Sequence, residues 1–386
     1  MKKNVLKKAF AVAMSVMMVG AFMTGCGGGG DDASVVVIGG SGPLTGDYST
    51  YGISVKQGAQ LAVDEINAAG GVNGVEFKLV FEDDVADPVT ATQAYAKMAD
   101  EGMQLSLGGT TSGACLAAAT EAEKDGVLMI TPSASQVECC APANAFRVCF
   151  TDPLQGEFAA QTIKDEALGT KVAVIYDKSN DYSAGIQKAF QAKADAIGLN
   201  VVETQAFTSS SNTDFSVQLN AVKSSGADLV FLPIYAQEAA YVLTQAEKMG
   251  LDVQFLGGDG LDGVIPQLGD NAALAEGVML LTPFAADAAD DATQAFVAAY
   301  QAKHGEIPNQ FAADAYDAIY VIKAAIEKAG ITDANISAAD LCEAMKAAMV
   351  EIEVPGLTGT MTWTADGEPS KTPKAMVIAD GAYKAM

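Results

Sequence analysis

Two polar loops stand just past short apolar runs, and their residue types suit one task, holding an anion. The first is Gly108-Gly109-Thr110-Thr111-Ser112-Gly113, after Leu105-Ser106-Leu107 and before a helical stretch. A glycine-rich loop entering a helix presents backbone N–H groups that lack an intrahelical partner, together with a partial positive charge. That is enough to bind a carboxylate. Ser112 also fits as the N-cap of its helix, and the two roles are compatible. The second loop is Ile130-Thr131-Pro132-Ser133-Ala134-Ser135. Its two hydroxyls and exposed backbone would complete a carboxylate cradle and offer a carbonyl to an ammonium, although a serine-rich turn needs no ligand to explain it. Open α/β sheets bind ligands beyond the carboxyl ends of their strands, which is where both loops fall.

Other chemistries fit poorly. No G-x-x-x-x-G-K-[ST] run is present, which argues against a P-loop ATPase. Gly39-Gly40-Ser41-Gly42-Pro43 follows a strand-like run, but Thr45 stands where a dinucleotide fingerprint needs its third small residue, and no helix opens at once. The single histidine, His304, sits at a helix end, where interaction with the helix dipole explains it better than a ligand or base role. Cys139, Cys140 and Cys149 lie close together without a His or a second CxxC, so one disulfide among them is expected rather than zinc. Cys115 falls in a helical pattern and is expected to be buried, while Cys342 reads as buried or free. No G-x-S-x-G elbow is present. The sequence therefore predicts no metal, no cofactor and no enzyme.

The loops need a scaffold, and the 386 residues supply material for two domains of ~150 residues each. Half the residues are hydrophobic, sufficient for two cores. Short β-branched runs alternate with helical patterns, the signature of parallel α/β sheets. Strands are expected at 35–38, 77–81, 105–107 and 127–130, with helices at 55–69, 90–101 and 113–124 between them. The pattern restarts with strands at 172–176, 201–202, 229–232 and 278–281 and a helix at 184–197. Helices follow at 292–303, 313–329 and 338–349. Residues 360–364 and 375–378 flank Asp366-Gly367-Glu368-Pro369 and read as one hairpin. Phe150-Thr151-Asp152-Pro153 and Leu281-Thr282-Pro283 are short connections of the kind that make hinges.

Charge and the N-terminus set the compartment. The formal net charge is −25, and residues 1–25 hold four lysines and no acid. A body this acidic repels phosphate backbones, so no nucleic-acid partner is expected. Lys2, Lys3, Lys7 and Lys8 precede an apolar run over 9–23, too short to span a bilayer and of signal-peptide form. Met23-Thr24-Gly25-Cys26 resembles a bacterial lipobox, with Met23 where Leu is usual. Residues 1–25 thus read as a lipoprotein signal peptide, Cys26 as the lipidated residue, and 26–33 as a flexible tether. The domain is expected outside the cytoplasmic membrane, at the cell surface or in a periplasm, held by lipid.

Six motifs in order identify a resemblance. They are Ser41-Gly42-Pro43-Leu44-Thr45-Gly46, Gly58-Ala59-Gln60-Leu61-Ala62-Val63-Asp64-Glu65-Ile66-Asn67, Gly70-Gly71-Val72-Asn73-Gly74, Glu82-Asp83-Asp84, Gly126-Val127-Leu128-Met129-Ile130-Thr131-Pro132 and Phe146-Arg147-Val148. The chain resembles the leucine/isoleucine/valine-binding proteins of branched-chain amino-acid ABC transporters. The resemblance implies the type I periplasmic-binding-protein fold, two Rossmann-like doubly wound α/β lobes joined by three hinge crossovers that close on a ligand. Lobe one would be 34–150 plus 282–358, and lobe two 151–281 plus 359–386. It further implies that Ser112, Ser133 and Ser135 hold a ligand's α-carboxylate and ammonium. Tyr51 would border the side-chain pocket, with Tyr48 as a substitute. Tyr182 and Tyr235 would cover the ligand, and Asp259 would pair with the ammonium. The disulfide of some relatives is absent, its places being taken by Ala86 and Thr111, and Asp259 is shorter than the usual Glu.

The expected partners are an amino acid, aliphatic or branched-chain, and separate ABC permease subunits, with the protein itself a monomer. An amide or urea-like solute, or a sensor role, uses the same pocket. An extracellular hydrolase would need a nucleophile with an oriented base, for which one helix-end His is a poor supply. A purely structural surface lipoprotein would fill the cleft between lobes with side chains.

Overall fold

The computed structural model describes residues 34–386, so the expected signal peptide, lipidated Cys26 and tether lie outside the described residues. Buried apolar strands build the first sheet: β1 (Ser34–Gly42), β2 (Val75–Asp83), β3 (Leu105–Gly109), β4 (Leu128–Thr131) and β5 (Ala145–Arg147). Their order is β2-β1-β3-β4-β5 and every pairing is parallel. β3 and β4 are buried throughout, which is why they carry continuous apolar runs rather than alternation. The crossovers are α1 (Ser49–Ala68), α2 (Pro88–Asp100) and α3 (Ser112–Asp125). α1 buries Tyr51, Val55, Ala59, Ala62 and Ile66 at helical spacing.

The second sheet repeats the plan. It contains β6 (Val172–Asp177), β7 (Val201–Phe207), β8 (Leu229–Leu232), β9 (Gln254–Gly257) and β10 (Met279–Thr282), all in parallel. Its helices are α4 (Asp152–Asp165), α5 (Asp181–Ile197), α6 (Ser216–Ser225), α7 (Ala236–Lys248) and the short α8 (Val264–Leu268). The chain then returns to the first half. α9 (Asp291–His304) and α10 (Gln310–Ala329) pack on α1, and α11 (Ala338–Met349) packs against β4. The hairpin β11 (Glu353–Gly356) and β12 (Gly359–Thr362) follows, then β13 (Lys374–Ala379) and β14 (Ala382–Ala385) complete the second sheet as antiparallel strands. Its order is β14-β13-β10-β9-β8-β6-β7. The chain thus passes between the halves after β5, after β10 and after β12.

Four expectations are corrected. Residues 360–364 and 375–378 do not pair with each other: β12 pairs with β11, and β13 with β10 and β14. Not all of 359–386 joins the second half, because Trp363 Nε1 donates to Arg147 O at 2.8 Å and Arg147 N donates to Gly367 O at 3.1 Å. Those bonds tie the segment to the edge of β5. The five cysteines among the described residues are buried free thiols, with no disulfide. The connection at 150–153 also proves to be a helix start, in which Thr151 Oγ1 accepts from Leu154 N and Pro153 occupies the first turn, where its missing N–H costs nothing. No described helix is long and apolar enough to cross a membrane.

The first half depends on a close helix crossing. A Cβ built on Gly58 of α1 would lie 2.0 Å from Ala312 O of α10, so only glycine permits this approach. Gly58→Ala should lower the free energy of unfolding by ~1–3 kcal/mol through overpacking. Urea denaturation measures this, and an unchanged midpoint would show that the spacing has slack.

Candidate functional site

The first half delivers its polar groups from the carboxyl ends of β3 and β4. Thr110 N donates to Ser41 O at 3.0 Å, fixing the start of the turn. Thr111 takes the N-cap position of α3 in extended backbone, but its hydroxyl makes no capping bond. Ser112 is therefore the first helical residue rather than the cap its position suggested. The opening N–H groups of α3 have no carbonyl one turn earlier to bond. Ser133 Oγ donates to Thr110 O at 2.7 Å and so stitches the second loop to the first.

Arg147 sets the shape of that second loop from behind. Its side chain is fully buried; Nη1 donates to Ala134 O at 2.8 Å and Nη2 to Gln136 O and Val137 O at 2.9 and 3.0 Å. Nε pairs with the carboxylate of Glu368 at 3.0 Å. A planar fork with several fixed donors can hold three carbonyls of one loop at once, which a lysine cannot.

The second half answers with three side chains from the ends of β6, β8 and β9. Tyr182, in the first turn of α5, donates from its hydroxyl to Asp259 Oδ1 at 2.8 Å and accepts from Gly260 N at 2.9 Å. Tyr235 stands at the N-cap of α7 and stacks on Tyr182, with ring centroids 5.0 Å apart and planes 8° from parallel. Gly260 must be glycine, since a Cβ there would come 2.7 Å from the Tyr182 hydroxyl.

Tyr51 reaches across. It starts in α1 of the first half, yet its hydroxyl donates to Gly260 O at 2.6 Å and accepts from Ala236 N at 2.7 Å. Its ring lies edge-on to Phe311 of α10, centroids 4.7 Å apart. Tyr48, the substitute candidate, lies outside this cavity; it donates to Glu238 and sets its ring edge on Tyr235. The structure brings Ser112, Ser133 and Ser135 together with Tyr51, Tyr182, Tyr235 and Asp259 around one cavity. Thr110, Thr111, Gly260 and Phe311 complete its wall. The two threonines belong to a loop already singled out, whereas nothing in the sequence around Phe311 marks it.

The cavity is small, about 20 Å³, room for about one water. The cleft is thus nearly filled by side chains, but in an unbalanced way. Thr111 Oγ1 and Ser135 Oγ are buried without a hydrogen-bond partner, as are both carboxylate oxygens of Asp152. The Ser135 hydroxyl lies beside the Asp152 carboxylate without closing a hydrogen bond. Burial pushes Asp259 up from 3.8 to about 7, against the opposing hydrogen bond from Tyr182. Burial also pushes Asp152 well above the usual carboxylate range. Buried polar groups in proteins are normally satisfied, and a cluster of orphans in one cleft calls for a reason.

A family model described as periplasmic binding protein matches residues 35–382. The chain belongs to the periplasmic binding protein family. It is 33% identical over 341 residues to the Leu/Ile/Val-binding protein homolog 3 of Brucella melitensis, covering 87% of this chain and 89% of that one. It is 32% identical over 304 residues to the leucine-, isoleucine-, valine-, threonine- and alanine-binding protein of Pseudomonas aeruginosa, covering 78% and 80%. Among solved structures, the branched-chain amino acid transporter substrate-binding protein of Streptococcus pneumoniae, in complex with isoleucine, superposes with a TM-score of 0.82 at 29% identity. That match covers 91% of this chain and 98% of the other. The leucine-binding protein of Thermotoga maritima gives 0.81 at 29%, covering 91% and 97%. The fold is therefore the type I periplasmic-binding-protein fold, and its relatives are solute-binding proteins of ABC transporters rather than enzymes. The family implies a location outside the cytoplasm. His304 closes α9 with its ring on Tyr300 and is not part of the cavity wall.

Two measurements follow from this geometry. Arg147→Lys leaves loop carbonyls unpaired, each buried orphan costing ~1–3 kcal/mol. The variant should unfold at lower urea; an unchanged midpoint would mean that the loop holds itself. The second concerns Asp259. Its folded value of about 7 exceeds the free value of 3.8, so the folded chain binds the extra proton and this group's contribution to stability falls as pH rises through that window. Ligand-free Asp259→Asn should therefore lose less melting temperature than the parent between about pH 4.5 and about pH 8. Equal losses would place the Asp259 carboxyl in a solvated setting.

Proposed function

We propose that this protein is an extracytoplasmic, lipid-anchored receptor that captures a free amino acid, aliphatic or branched-chain, between its two halves and hands it to a separate ABC permease. The observation that carries the proposal is the set of unpartnered polar groups around one cavity. A purely structural interface of the same shape would satisfy those groups or replace them with apolar ones. Here an anion-binding helix N-terminus and serine loops stand on one side, and a cation-seeking carboxylate stands on the other.

A zwitterion meets both demands. Its α-carboxylate would take the N–H groups at the start of α3 and the hydroxyls of Ser112 and Ser135, while Ser133, whose hydroxyl donates to Thr110 O, would hold the cradle in shape. Its ammonium would pair with Asp259 and favour the ionised acid that burial alone disfavours. Tyr51, Tyr182, Tyr235 and Phe311 would enclose the side chain. Since about 20 Å³ cannot hold an amino acid, loading requires the halves to part, and the charge pair forms fully only as they close again. The relatives named for leucine, isoleucine and valine support this ligand class.

A thermal-shift screen of the purified protein, freed of bound solute, against the twenty amino acids and simple amides tests the class. Ligand at 100 times its Kd should stabilise by ~2.7 kcal/mol. A response to branched-chain amino acids is expected; a response to amides alone would overturn the zwitterion reading. The double variant Ser112→Ala, Ser135→Ala should weaken binding by ~1.5–3 kcal/mol per lost charged hydrogen bond, and unchanged affinity would remove the cradle. Asp259→Asn should penalise ammonium-bearing ligands more than neutral amides. Cys26→Ser should release the protein from membranes into the soluble fraction, and continued retention would refute lipid as the anchor.

A further inference from the structure

A second cavity, of about 440 Å³, is lined by Asp262, which Gln310 links to Asp259 of the ligand cleft. Its volume falls within the ~300–1,000 Å³ typical of small-molecule sites. Ile53 of α1 and Val297 of α9 wall it from the first half, Ile265 and Pro266 of α8 from the second, and Phe284 from the connection after β10. Ile307 and Ile53 stand exposed at its edge, 65% and 36% accessible. Apolar side chains of this size are seldom left uncovered together around a concavity.

The polar groups of this cavity have one sign. Its charged lining residues are Asp262, Asp287 and Glu306, and no Lys or Arg contributes. Asp262 is 2% exposed. Its Oδ2 accepts from Gln310 N at 2.7 Å, while its Oδ1 is buried with no hydrogen-bond partner. The Tyr383 hydroxyl beside it accepts from Gly263 N at 3.1 Å and keeps its own O–H to donate, so it is the neighbour that competes with a ligand for this carboxylate. An unpaired buried carboxylate oxygen on an apolar wall, within an all-acidic charge set, complements a cation carried on a hydrocarbon body.

We propose that this cavity is a second ligand site, separate from the amino-acid cleft, which takes a small hydrophobic amine with its ammonium on Asp262 and its hydrocarbon part against Ile53, Ile265, Phe284 and Val297. It needs no α-carboxylate, because no basic side chain lines it. Both halves of the molecule contribute walls, so an occupant touches both. The site stands on its own residues, and its existence does not depend on which solute the main cleft holds.

Calorimetry of the purified protein with n-hexylamine and phenethylamine, against n-hexanol and hexanoate, tests the proposal. The amines should bind saturably with Kd below about 1 mM, and the alcohol and the acid should bind at least about tenfold more weakly. Asp262→Asn keeps an acceptor for Gln310 N and should cost at least about tenfold in amine affinity. Ile53→Lys, at an exposed position that cannot unfold the core, should do the same by placing a like charge at the rim. Asp259→Asn, in the other cleft, should leave amine affinity unchanged. Absence of saturation, equal binding of n-hexanol, or loss of amine binding in Asp259→Asn would each overturn the proposal, the last by placing the amine in the amino-acid cleft.

Discussion

Asp259 is buried between the two halves with a tyrosine hydroxyl on one oxygen, and no ion pair among the described residues includes it. A carboxylate taken out of water without a counter-charge is costly and drifts towards its neutral form. Every other feature of the cleft can be read as a response to that constraint. Tyr182 holds the carboxyl in place, and Gln155 fixes its backbone through a 3.0 Å bond to Asp259 N. Gly260 lets the tyrosine approach. The opposite wall is the electrical converse, a helix N-terminus and hydroxyls, and Asp259 is the one acid in the cavity lining. One molecule carrying both charges would relieve both walls at once.

Such relief depends on position, and position here rests on buried charge elsewhere. Arg147 holds the carbonyls of the Ser133–Ser135 loop and the returning segment at Glu368 and Gly367. Lys371 lies in the same returning segment and is buried against Asp314 of α10 at 2.9 Å. Asp317, one turn further along α10, accepts from Leu357 N and Thr358 N at 2.9 Å. These pairs do not add stability in proportion to their number, because desolvation offsets much of their attraction. Their effect is directional: a buried fork or ammonium accepts one arrangement of its partners. The third passage of the chain between the halves is thereby fixed close to the loop that carries Ser133 and Ser135.

The parallel sheets and most crossover helices were legible because their signals are local. Continuous apolar runs, periodic helix faces and glycine stops each sit within about 20 residues. The polar loops were legible for the same reason, since a strand end followed by Gly, Thr and Ser is visible without knowing what faces it. What escaped depends on distant partners. β13 pairs with β10 rather than β12 because the open edge of the second sheet lies there, a fact absent from residues 360–378. Phe311 enters the cavity through the crossing of α10 over α1 at Gly58. α4 also carries a local signal, because Thr151 followed by Asp152-Pro153 marks a helix start. The three clustered cysteines invited a bridge by proximity in sequence, yet each is buried as a free thiol. Closeness along the chain does not supply the geometry a disulfide needs.

The contacts across the cleft set how readily it can open. Tyr51 bonds Gly260 O and Ala236 N; Tyr48 bonds Glu238; Gln310 bonds Asp259 O and Asp262 Oδ2. Each is worth only ~0.5–1.5 kcal/mol net, because water replaces it on opening. Against them stand the buried orphans at Thr111 and Ser135 and the unpaired Asp259, which line the cavity and would regain water if the halves part. An unsatisfied buried group costs ~1–3 kcal/mol, so the two sets are of similar size. Polar terms this nearly balanced leave the closed form a polar advantage of no more than a few kcal/mol. That is the range in which the differential affinity of one small ligand decides the population. The polar orphans that look like defects in the closed cleft are then groups that weaken it until a partner satisfies them.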